Sequence, residues 1–185
     1  MKKLISEAAY LKLENEIWDD FLSKASNEEL YHAVLTANFD DNAYFLNWIK
    51  NNPKTDKAIV LAAYWMSEPY YFKQFLNRED CLQKESWAIE AFDFITEIET
   101  KYVAGFYSTN TLAFNPKNIE IDQETDWSEK RKDMVYVREI PSVMLQPLAG
   151  KKLSPPDYSV YTEGLPNAYY ERVEQLFDLY EIMYI

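Results

Sequence analysis

NFDDNAYFLNWIKNNPKTDKAIVLAAYWMSEPYYF, residues 38–72, holds the densest apolar run of the chain, and two helix stops fall close together within it. Tyr44 with Trp48 and Phe45 with Ile49 recur at helical spacing behind Asp40 and Asp41. An aspartate ahead of such a run suits the orphan N–H groups and the positive end of the helix dipole. Asn51-Asn52-Pro53 stops this helix, because a residue before proline is pushed out of the α region. Thr55 then reads as the cap of a second helix with Asp56 in its first turn. From Ala58 to Met66 that helix is apolar on nearly every face, which marks a helix surrounded by others. Its roughly three turns fall far short of the ~20 apolar residues of a membrane span. Ser67-Glu68-Pro69 ends it, and Pro69 suits the first position of another short helix.

Working outward, Tyr10, Leu13, Ile17, Phe21 and Ala25 recur every three or four residues, so a helix is expected over 5–25 with Ser6 as its cap. Ser26 and Glu29 form a capping box that opens a helix through Leu30, Ala33, Val34 and Ala37. Asn77 to Asp80 reads as a break. A long helix follows over about 83–103, with Ala88, Ala91, Phe92, Ile95, Ile98 and Tyr102 on one face, and Gly105 as its C-terminal cap. Glu90, Asp93 and Glu97 lie on the opposite face. Residues 106–160 lose this periodicity. Ile119 to Asp122 reads equally as a short strand or as ordered loop, Asp126 or Ser128 opens a short charged helix, and Pro141 begins another through Val143 to Leu145. Gly150 to Pro156 is a loop, and Gly164-Leu165-Pro166 introduces a last helix over 161–185, with Tyr169, Val173, Leu176, Phe177 and Tyr180 as its stripe. The expected fold is therefore mainly α. It is a single compact domain over 1–185, made of a helical core at 1–105, an irregular region at 106–160 with a possible small β element, and a closing helix.

The quoted stretch resembles a bacterial family known as domain of unknown function 4274, over about residues 31–72. Asn38-Phe39-Asp40-Asp41, Trp48, Pro53 to Ala58 and Ala63-Tyr64-Trp65 carry the likeness. Asn42 stands where the family prefers Gly, and Thr55 where it prefers Cys. Asn tolerates the left-handed backbone that Gly supplies, and Thr removes a thiol or metal role at that place. The resemblance implies a helical fold and no established activity.

The 185 residues carry a formal charge of −12, with 48% hydrophobic and 16% aromatic side chains. That composition is too apolar for disorder. Its charge sets nucleic acid and anionic membrane aside as partners and makes a basic protein surface the natural complement. Three glycines leave no phosphate-binding loop. One cysteine, Cys81, allows no internal disulfide and fits a reducing compartment. The opening residues have two lysines but no continuous apolar run, so a cytoplasmic protein is expected.

His32 is the one histidine. A His32–Cys81 nucleophile pair, a calcium loop over Asp122, Glu124, Asp126 and Asp133, and an acid–base pair at Asp40–Asp41 each have a plainer reading as packing, solvated loop and helix cap. No cofactor and no metal are expected. The candidate contact residues are Asp40, Asp41, Trp48 and Asp56 in the quoted stretch and the stripe of Glu90, Asp93 and Glu97. The expected function is an acidic protein-binding role, most concretely an immunity protein masking a basic toxin. A structural adaptor domain and an enzyme with an unrecognised carboxylate site are the alternatives.

Overall fold

A computed structural model describes residues 2–117 and 126–183, and the fold is mainly α. Eight α-helices lie among the described residues: α1 (Glu7–Leu22), α2 (Asn27–Thr36), α3 (Ala43–Asn51), α4 (Lys57–Met66), α5 (Pro69–Phe72), α6 (Arg78–Lys84), α7 (Ile89–Val103) and α8 (Asn167–Leu179). Four short strands accompany them: β1 (Lys3–Ser6), β2 (Tyr161–Thr162), β3 (Leu165–Pro166) and β4 (Tyr180–Met183). The chain forms two compact units, Met1–Phe45 with Pro156–Ile185, and Leu46–Pro155. The division falls inside α3.

In the first unit, β1 and β4 pair in parallel, Lys3 opposite Tyr180 and Ser6 opposite Met183. β2 and β3 form an antiparallel pair. Ser6 caps α1 by accepting from Ala9 N, and Ser26 and Glu29 close the full capping box at α2. Apolar side chains of α1 and α2 make the core: Ile17, Trp18, Phe21, Leu30, Ala33 and Val34. Trp18 stacks on Phe45 at 4.8 Å between ring centroids, and Phe21 meets Tyr169 of α8 edge-on at 5.4 Å. Residues 5–6 and 180–183 were expected to lie in helices. They pair as strands because each finds its hydrogen-bonding partner at the far end of the sequence, out of reach of any local periodicity.

In the second unit α4 is the centre. Ala58 to Trp65 are fully enclosed, and Met66 is half-buried. α5 and α7 pack against it, so this helix is buried on most sides as its all-round apolarity implies. Each enclosed Ile, Leu or Val is worth about 1.5–3 kcal/mol of burial. Pro69 starts α5 after Glu68, which takes a left-handed φ of 50°. Asn77 does not break the chain there. It caps α6, accepting from Asp80 N at 2.9 Å. α7 ends in a Schellman motif: Gly105 N donates to Tyr102 O, Phe106 N to Lys101 O, and Gly105 has φ 72°.

Residues 109–117 and 126–155 are held by single bridges, Leu112 to Lys151 and Phe114 to Leu148, and by the 3₁₀ turn Ser142–Leu145 behind Pro141. A Cβ on Gly150 would lie 2.5 Å from the backbone of Thr111 and Leu112, so only glycine fits this approach. No helix follows Asp126. Its Oδ1 instead accepts from Ser128 N at 2.9 Å in an Asx turn. The strand-or-loop stretch at 119–122 lies outside the described residues. Among the described residues no helix is long and apolar enough to cross a membrane.

Candidate functional site: charged clusters inside and outside the core

Three polar side chains meet inside the second unit. Glu99 Oε1 accepts from Tyr64 Oη at 2.5 Å and from the Lys73 ammonium. Lys73 is 1% exposed, Tyr64 0% and Glu99 9%. Burial drives the Lys73 ammonium below its ordinary pKa, with the Glu99 carboxylate opposing it. Burial, then the same carboxylate, holds the Tyr64 phenol well above 10.0. Arg138 braces the neighbouring backbone, donating through Nε to Phe75 O at 2.8 Å and through Nη2 to Phe72 O at 2.9 Å. Its guanidinium lies 4.7 Å from the Phe92 ring centroid. The cluster ties α4, α5 and α7 together. It faces the core, so its chemistry serves the fold.

Sequence reasoning missed this cluster, although one signal was present. Glu99 sits four residues after Ile95 and three before Tyr102, on the apolar stripe of α7. Ala91, assigned to that stripe, is exposed instead.

Asp56 is fully enclosed. It, rather than Thr55, is the cap of α4, and its Oδ1 accepts from Ala58 N at 3.0 Å. Its Oδ2 accepts from Thr111 N and Oγ1, both at 2.6 Å, and from Leu112 N at 3.3 Å. The carboxylate is thus used by the chain's own donors and does not form an outer contact surface. Thr55 is buried beside it, with a hydroxyl that has no partner among the described residues.

The acidic stripe of α7 is largely neutralised within the second unit. Glu97 receives Lys50 at 2.7 Å and Lys101 at 2.9 Å. These two hydrogen bonds, Lys50 first, hold its carboxyl below the usual range. Asp93 receives Arg78 Nε on both oxygens, at 2.9 and 3.0 Å. Glu90 is exposed, and Trp48 is half-buried on α3.

Asp40 and Asp41 occupy an exposed turn ahead of α3. Asp41 Oδ2 accepts from Asn38 Nδ2 at 2.8 Å, and Asn42 Oδ1 accepts from Asn38 N at 2.9 Å. The aspartates therefore belong to the turn, with the buried Asn42 directly before the helix. Around them the first unit gathers negative charge. Burial, then the charges of Glu163 and Asp41, pushes the Glu14 carboxyl upward. Tyr170 is raised by burial and by Glu163, Glu174 and Glu14. Three separate parts of the chain, α1, the 38–42 turn and the β2–β3 turn, thus feel one another's carboxylates. Glu163 holds a left-handed φ of 48° at that last turn.

The remaining candidates separate. Cys81 lies on α6 and is fully enclosed, not in a polar linker, and burial followed by Glu85 raises its thiol pKa. A thiol held protonated is a poor nucleophile. His32 packs edge-on to Tyr161. Among the described residues no group of three His, Cys, Asp or Glu is placed to hold a metal ion. Asp122 and Glu124 of the calcium-like spacing lie outside the described residues.

Residues 25–103 match the model of a family described as Domain of unknown function (DUF4274). The match runs from the capping box of α2 to the end of α7. It takes in the Asp40–Asp41 turn, the Asp56 cap and the Tyr64–Lys73–Glu99 cluster. No curated protein and no solved structure matches the chain.

Proposed function

We propose that this protein binds a basic protein partner through its first unit, most concretely as an immunity protein that masks a basic toxin. One observation supports the reading. The charge of −12 is unevenly divided between the two units. Residues 1–45 with 156–185 hold fifteen acidic and five basic side chains, a formal −10, whereas residues 46–155 hold sixteen and fourteen, a formal −2. A field concentrated on one unit steers a cationic partner to that unit. The Glu14 carboxyl, raised by burial and then by the charges of Glu163 and Asp41, fits the same reading, since binding a cation recovers the cost of those like charges.

The test starts with capture of binding proteins from the source cell at low salt, followed by association kinetics with the captured protein. The expected partner is basic, and its association rate falls steeply as ionic strength rises, because exposed charges are screened beyond about 10 Å at 0.1 M salt. Reversing Glu14, Asp41 and Glu163 together should slow association more than it speeds dissociation. Reversing Glu90, Asp93 and Glu97 should change it little. Growth rescue on co-expression with the partner tests masking itself. An acidic partner, or a rate indifferent to salt, overturns the reading.

A further inference from the structure

One face of the β1–β4 pair carries exposed apolar side chains. Paired residues of a parallel sheet point to the same side, so Leu4 and Glu181 share one face with Ser6 and Met183. That face is open: Leu4 is 64% exposed and Met183 40%. Phe177, at the end of α8, is 64% exposed, and Leu179 beside it 53%. The Lys2 ammonium lies 4.0 Å from the Phe177 ring centroid, which joins this ring to the start of β1 and shows that it accepts a cation. Glu171, Glu174 and Asp178 follow at spacings of three and four along α8, Glu181 lies on β4, and all four are exposed. The face of the pair thus sets Leu4 and Met183 beside the Glu181 carboxylate, and α8 adds further exposed carboxylates. Among the described residues no further strand adjoins β1 or β4.

We infer that this surface is the docking site for a cationic, amphipathic segment of a protein partner. The segment lays apolar side chains over Leu4, Phe177 and Met183 and sets Lys or Arg against Glu174, Asp178 and Glu181. The inference rests on the reading of the protein as a partner of basic proteins, and it names the place and the chemistry of contact. Charge selects the occupant. A second copy of the chain would bring another unit of formal −10 against the first, so self-pairing is opposed where a cationic segment is drawn in.

The probes are three synthetic peptides of equal length: alternating Lys and Val, alternating Lys and Ser, and alternating Glu and Val. Binding to the full chain is measured at low salt by titration, and backbone amide shifts locate it. The Lys/Val peptide should bind most tightly, with shifts centred on residues 3–6 and 177–183. Phe177→Ser with Met183→Ser should weaken it roughly tenfold or more while leaving the melting temperature near that of the parent, because both side chains are already exposed. Lys2→Ala should tighten binding by uncovering the ring. Shifts centred on Glu14 and Asp41 instead would overturn this site while leaving the basic-partner reading standing, as would equal binding of the Lys/Val and Lys/Ser peptides. Failure of every cationic peptide to bind would overturn both. Preferential binding of the Glu/Val peptide, or self-association of the chain, would replace the cationic occupant with an apolar or homotypic one.

Discussion

Glu14 and Lys73 are both charged groups under stress, for opposite reasons. Glu14 is half-buried and held against Glu163 and Asp41. Its raised pKa means that the folded state keeps a proton more readily than the unfolded chain. Stability from this group is present at low pH and lost as pH rises through the folded value. Glu14→Gln should therefore stabilise the protein at pH 7 by a few tenths to about 1 kcal/mol, and the gain should vanish below about pH 4. Thermal melts at the two pH values check this. Lys73 is different, since its charge has a buried counterion. Lys73→Met should cost about 3–5 kcal/mol by leaving Glu99 unpaired in the core. Adding Glu99→Gln should recover part of that loss, so the double variant is less destabilised than Lys73→Met alone. Urea midpoints of the variants give the comparison. Glu99 was readable as an intruder on an apolar stripe, but its two partners were not. Tyr64 and Lys73 lie 35 and 26 positions away, and no periodicity spans such a gap.

At the scale of elements, local signals carried most of what could be read. The Ser26–Glu29 box, the stops at Pro53 and Pro69 and the Gly105 cap each act within one turn of helix, and each lies where the sequence implies. Asn77 was misread because asparagine both breaks and caps, and only the next residues' backbone decides between the two. The role of Asp56 also extends beyond its own helix, since its second oxygen gathers Thr111 and Leu112. Asp56→Ala should remove a cap and orphan several buried donors, costing more than about 3 kcal/mol. Ser26→Ala, an exposed cap, should cost only about 1 kcal/mol. Chemical denaturation should rank the two in that order, and equal losses would show that Thr111 and Leu112 find other acceptors.

The whole molecule has an alkaline limit set by its tyrosines. Burial raises Tyr102 from 10.0 to about 12, raises Tyr107 further and holds Tyr64 well above 10.0. Above the ordinary phenol pKa the unfolded chain releases these protons while the folded chain keeps them, so stability falls as pH rises from about 10. Tyr102 alone should account for about 2–3 kcal/mol by pH 12. Lys73, whose pKa is lowered, acts in the other direction, but its gain is complete by its unfolded value of 10.5. A subset of phenolate absorbance should therefore appear only with unfolding, and gradual ionisation of every tyrosine near pH 10 would contradict the burial described. The uneven division of charge was the least legible feature of the candidate site. Asp40 and Asp41 stood out by themselves, but residues 156–185 had to be known to join residues 1–45 before their carboxylates counted together.

That joining has a consequence for how the chain reaches its native state. Residues 46–155 are contiguous, whereas the unit holding α1 and α2 needs α8 and β4, which the ribosome makes after all of them. Loop closure across more than a hundred residues carries a larger entropy cost than closing the local contacts of α4 to α7. The nearly neutral unit should therefore mature first during synthesis and the acidic one last. In pulse-labelled refolding, amides of α4 and α7 should gain protection before those of α1 and β1. Earlier or simultaneous protection of β1 would contradict this order. A nascent chain would then carry its most charged surface unfinished until α8 and β4 have been made.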